Sequence, residues 1–190
     1  MPVHKSRAVL GVLPVPGGHL NLYRQRSNTE CGPVAIYNLA RLLQLESARG
    51  GYRANFAYFA DATRYDPRRG CQRKDTWRAA RAELVGTPHK LIKRRPSWRN
   101  VVNHLDRASA PSTICILGWC ADGKNHRCHK VVAWRDYDRN GIWVANAVAH
   151  RAVVPFYLRQ GCYWATNYHP TAFPGYHQML DFWQVVPRGR

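Results

Sequence analysis

The spacing of apolar positions changes near Pro111. Before it, apolar residues recur every three or four positions, as in helices that bury one face. Ala35, Leu39, Leu42 and Leu43 share a face of a helix predicted from about Gly32 to Leu45, ending near Gly50 and Gly51. Pro33 falls in its first turn, where a missing N–H costs nothing. Trp77, Ala80 and Leu84 define a second helix over 74–84. Trp98, Val101, Val102 and Leu105 define a third after Pro96, with Ser97 as N-cap and His104 toward solvent. Residues 52–72 are aromatic and irregular and fit a helix or a packed loop. Asp66–Gly70 reads as a turn.

After Pro111 the pattern shortens into β-branched and aromatic runs. Strands are predicted over 113–119, 130–134, 142–147, 153–158 and 182–186. Asn140-Gly141 closes a hairpin between the second and third of these. In residues 1–24, an extended lead-in, Val9–Val15 and His19–Tyr23 fit short strands separated by Pro14, Pro16, Gly17 and Gly18. Helices first and an antiparallel sheet second make the class α+β. A single domain over 1–190 is expected, with a mainly helical half over 25–110 and a mainly β half over 111–190.

Composition fits a folded domain: 45% of residues are hydrophobic and 21% charged. The net charge of +18 is high and points to an acidic neighbour: nucleic acid, a membrane surface or an acidic substrate. The basic stretch His89–Arg95, with Arg68, Arg69, Arg73 and Lys74, suits phosphate contacts. Trp77 and Trp98 lie near it, but their helical spacing assigns them to the core. No motif of a nucleic-acid-binding fold is recognisable. The apolar run 8–13 is too short for a leader, and none approaches the roughly 18 residues of a membrane span. Six irregularly spaced cysteines in a chain of 190 residues need no disulfide framework. These features suit a soluble, intracellular, reduced protein; a viral protein or secreted effector has the same profile.

Chemistry concentrates at Gln25–Pro33. Cys31 opens the first helix, where the dipole favours thiolate, and Gln25 precedes it by six positions. The Cys31 N–H and the Gln25 amide suit the two donors of an oxyanion hole. The second half offers a base: His129 starts one strand, and Asn146 lies on the next. A hairpin turning at 136–141 brings His129 close to Asn146, where an amide accepts the imidazole N–H and fixes its tautomer. Asp136 and Asp138 are alternative orienters, placed far along the hairpin in its turn.

The order Gln25, Cys31, His129, Asn146, with Cys31-Gly32 and His129-Lys130-Val131-Val132, resembles the papain-like cysteine peptidases, and among them the compact double-glycine leader peptidases. The resemblance covers mainly residues 25–43 and 129–147. It implies a nucleophile helix packed on an antiparallel sheet, with Cys31 as nucleophile, His129 as general base and acid, Asn146 as orienter and Gln25 as oxyanion donor. It implies cleavage of a peptide or isopeptide bond through an acyl-enzyme, without cofactor or metal, on a protein or peptide substrate. Asn146 departs from the aspartate that compact members often carry, and the charge of +18 has no counterpart in the resemblance. The same groups permit acyl transfer to an amine. From another class, the alternative is a basic nucleic-acid-binding protein on a decayed peptidase fold. Cys120, His126, Cys128 and His129 form a rival zinc cluster, but lack the paired knuckles of a structural finger. Gly17-Gly18 and Gly50-Gly51 match a double-glycine self-cleavage site, but read better as a turn and a helix C-cap.

Overall fold

The computed structural model describes residues 9–15, 18–23, 25–27, 29–50, 52–105, 114–120, 128–136, 141–145, 154–157 and 178–189. Strands β1 (Val9–Val15) and β2 (Gly18–Tyr23) form an antiparallel pair that leads into the loop carrying Gln25. Helices α1 (Cys31–Leu42), α2 (Tyr52–Ala62) and α3 (Arg73–Glu83) follow. Strand β3 (His89–Arg94) and helix α4 (Trp98–Leu105) come next. Then come β4 (Ile114–Cys120), β5 (Cys128–Asp136), β6 (Gly141–Ala145), β7 (Val154–Tyr157) and β8 (Gln178–Pro187). The main sheet has six strands in the order β3-β8-β4-β5-β6-β7, each pair antiparallel. This is the expected α+β arrangement, helices on an antiparallel sheet.

Helix α1 is buried on every side from Cys31 to Ala40, not along one stripe. It packs on β5, β4 and β2 and against α2 and α3, so its whole circumference is covered. Val34, Ile36 and Leu39 join Phe59 of α2, Ala79 and Ala80 of α3, and Ile116, Val132, Trp134, Trp183 and Val185 of the sheet in one core. Alternation along β8 sends Asp181, Trp183 and Val185 to this face, and Phe182 and Gln184 to the other. There α4 packs: the His104 ring lies 5.8 Å from that of Phe182, and Gln184 Nε2 donates to the His104 carbonyl. His104 is therefore half-buried against the sheet, where solvent exposure was expected. The Ser97 cap forms as expected, accepting the Asn100 N–H at 3.2 Å.

Two further features depart from the sequence reading. Helix α1 stops at Leu42, not near Leu45, because Gln44 takes a left-handed conformation (φ 55°). The Leu45 N–H then reaches back to the Ala40 carbonyl, a cap of the kind glycine usually supplies. Gly50 instead follows a short 3-10 turn over Glu46–Ala48. The basic stretch at 89–95 supplies edge strand β3, paired with β8 from the far end of the chain. The strands of the second half form where the alternating pattern placed them. Pairing of Val132 with Ala145 and of Asp136 with Gly141 gives the hairpin register inferred from Asn140-Gly141.

Candidate active site

The loop before α1 is anchored at both ends. The buried Glu30 carboxylate accepts the Arg26 N–H at 2.6 Å and pairs with the Arg26 guanidinium at 3.1 Å. Arg26 in turn lies over the Phe56 ring, 4.6 Å from its centroid. Thr29 Oγ1 donates to the Pro67 carbonyl, which ties the loop to the Asp66–Gly70 turn. This bracing holds Gln25 in the interior at 8% exposure. Among the described residues, neither its Nε2 nor its Oε1 has a hydrogen-bond partner. A buried primary amide with both ends unused is costly, and its donor remains available to an incoming group.

Cys31 is the first residue of α1, also 8% exposed. No side chain caps the helix. Helix α1 packs on β5, the strand that begins with Cys128 and His129. His129 is buried (3%) at the start of β5, opposite Trp119 of β4. Burial pushes the Cys31 thiol above its ordinary range, and this outweighs the lowering by the Lys130 N–H, the Lys130 ammonium and the helix N–H groups. Desolvation thus exceeds the helix-end effect in the free protein, and a thiolate here requires a proton acceptor.

The remaining sequence candidates divide. Asn146 directly follows β6 in sequence and lies outside the described residues, as do His126 and Asp138. The side chains of Cys120, Cys128 and Asp136 are outside them too. No group of three or more metal-ligating side chains forms among the described residues. Trp77 is half-buried, edge-on to Trp183 at 5.2 Å. Its ring also has Arg81 and Lys93 over it, at 5.9 and 4.7 Å, so the protein's own cations occupy it.

Three neighbours escaped the sequence reading. Cys71 packs against Gly32: a Cβ on Gly32 would lie 2.8 Å from the Cys71 sulfur. Burial, opposed in part by a hydrogen bond with Thr63, raises the Cys71 thiol to about 12. Lys130 and Asp181 form a buried ion pair, and Arg73 of α3 also binds the Asp181 carboxylate. The only sequence signal was a charge interrupting each apolar strand pattern.

No protein-family model and no curated protein matches this chain. Among solved structures, a double-glycine motif protease from an AMS/PCAT transporter, in complex with the leader peptide, has a similar fold. The TM-score is 0.51 at 12% identity, and the match covers 96% of this chain and 96% of that one. The likeness extends over nearly the whole length. At the level of the fold it bears out the resemblance drawn from residues 25–43 and 129–147. No helix among the described residues is long and apolar enough to cross a membrane.

Proposed function

We propose that the chain is a cysteine peptidase that cleaves a peptide substrate through an acyl-enzyme on Cys31. The observation that carries this reading is the packing of α1 on β5, which brings two elements distant in sequence together, one opening with the buried Cys31 and the other carrying the buried His129 at its start. The unpartnered Gln25 amide and the double-glycine protease fold support it independently.

In this mechanism His129 takes the Cys31 proton and the thiolate attacks the acyl carbon. The Gln25 amide and the Cys31 N–H receive the oxyanion. His129 then protonates the leaving amine. Water, deprotonated by His129, attacks the thioester, and the carboxylic acid leaves as the thiol re-forms. Asn146, the residue after β6 in sequence, is the orienter in this reading. An amide there holds the imidazole tautomer without adding negative charge.

The test is alkylation by iodoacetamide at neutral pH, site by site by mass spectrometry. Cys31 is expected to react faster than Cys71 and Cys115, both raised by burial, and to lose that advantage in His129→Ala. A Cys31 that reacts no faster and ignores His129 removes the peptidase reading. Binding to nucleic acid that weakens steeply with salt would then favour the basic binding protein.

A further inference from the structure

Lys130 and Asp181 stand where the fold asks for apolar residues. On the same face of β5 lie Val132 and Trp134, and on the same face of β8 lie Trp183 and Val185, all in the core. Yet the Lys130 ammonium and the Asp181 carboxylate are buried together, at 4% and 1% exposure. Three features make room for the pair. Gly118 of β4 leaves the space: a Cβ there would lie 2.6 Å from Lys130 Nζ and 2.8 Å from Asp181 Oδ2. The Trp183 ring lies 5.1 Å from Nζ and offers its π-face. Arg73 reaches in from α3, binding Asp181 and donating to the Leu180 carbonyl at 2.7 Å. The attraction within a buried ion pair seldom repays the loss of hydration, so a purely structural role is a poor account of it.

We propose that Lys130 is a positioning residue for the nucleophile, held by Asp181 and Arg73 so that its charge serves Cys31. The proposal rests on Cys31 being the nucleophile. Anchoring Nζ fixes the ammonium on the face of β5 against which α1 packs. One carboxylate shared by two cations leaves the cluster with net positive charge. That charge favours the thiolate that forms when His129 takes the proton. The other ionisable groups near the thiol are Glu30, engaged by Arg26, and Cys71, which in turn has Asp75 beside it. Asp75 is paired with Arg78 and Arg64.

The experiment compares the pH dependence of Cys31 alkylation in the parent, in Lys130→Met/Asp181→Leu and in Arg73→Gln. The double change removes both charges, so no lone charge is left buried. Arg73→Gln alters a half-exposed side chain and keeps the fold. The profile is expected to move to higher pH by about one unit in the double variant, a tenfold slower reaction at neutral pH. In Arg73→Gln it moves the same way by less, about threefold. A role in packing alone would change Tm and leave the profile in place. An unmoved profile in Arg73→Gln, or in a folded double variant, overturns the proposal. The parent and His129→Ala form the control: if the parent shows no His129-dependent reactivity, the peptidase reading fails instead.

Discussion

Replacing Gln25 with methionine separates stability from catalysis at this site. Methionine keeps the length and volume of the side chain and removes both polar atoms. In the free protein those atoms are buried and, among the described residues, unpartnered. An unsatisfied buried polar group costs about 1–3 kcal/mol, so Gln25→Met is expected to stabilise the fold by about that amount. For a domain of this size each kcal/mol moves Tm by about 2–4 °C, which predicts a rise of several degrees in a thermal melt. Catalysis moves the other way. Loss of one oxyanion donor lowers kcat by about 10²–10³, with KM changed far less. The assay pairs the melt with steady-state cleavage of a peptide that the parent hydrolyses. A variant that melts lower shows that the amide is satisfied in the free protein. A variant that melts higher and still cleaves at the parent rate shows that Gln25 is not the donor. Either result refutes the argument from the orphan amide.

Three further predictions follow from the surroundings. Gly32→Ala drives a methyl to 2.8 Å from the Cys71 sulfur and should cost about 1–3 kcal/mol by overpacking, offset in part by better helix propensity. In a Cys71→Ala background the cost should shrink, and a double-mutant cycle in urea reads the coupling; equal costs in both backgrounds would show that the two do not touch. Cys71 keeps its proton to about 12 when folded, against 9.0 for a free thiol. The unfolded chain therefore binds fewer protons between those values, and stability falls as pH rises from about 9 to about 12; Cys71→Ala should flatten that decline in melts across the range. Gln44→Gly and Arg64→Gly relieve left-handed φ values of 55° and 50° at helix ends and should each stabilise by roughly 0.5–1 kcal/mol, a modest rise in Tm.

Residue period was enough to place most of the fold. The turn signal at Asn140-Gly141 gave the hairpin register, because the turn fixes which residues of the two strands face each other. Strand β3 was hidden because four of its six residues are histidine, lysine or arginine. An edge strand tolerates such charges, and the sequence read as a solvated basic run. The early end of α1 was hidden because glutamine gives no sign of a left-handed conformation, and Gly50 stood nearby as a more obvious stop. At the site, Cys31, Gln25 and His129 stood out by residue type and order. Cys71 and the Lys130–Asp181 pair did not, since their meaning depends on contacts from α3 and β8 that no local spacing encodes.

Such contacts also explain why polar groups collect at the head of α1. Here a buried, unpartnered amide lies in the loop before α1, a thiol with its pKa raised by burial opens the helix, and a buried ion pair joins β5 and β8. Each alone costs stability that an apolar residue would retain. Folding does not require the combination, whereas the proposed acyl transfer would use each part: a donor for the oxyanion, a nucleophile dried by burial, and a fixed positive charge. The exposed cations differ in kind. Arg81 and Lys93 crowd one indole without a carboxylate among the described residues, but they lie on the outer side of α3 and β3, with Trp183 between them and Lys130. Neutralising them should therefore change salt-dependent encounter with a charged partner and leave the reactivity of Cys31 alone. In the proposed mechanism the charge that serves the chemistry is the buried one.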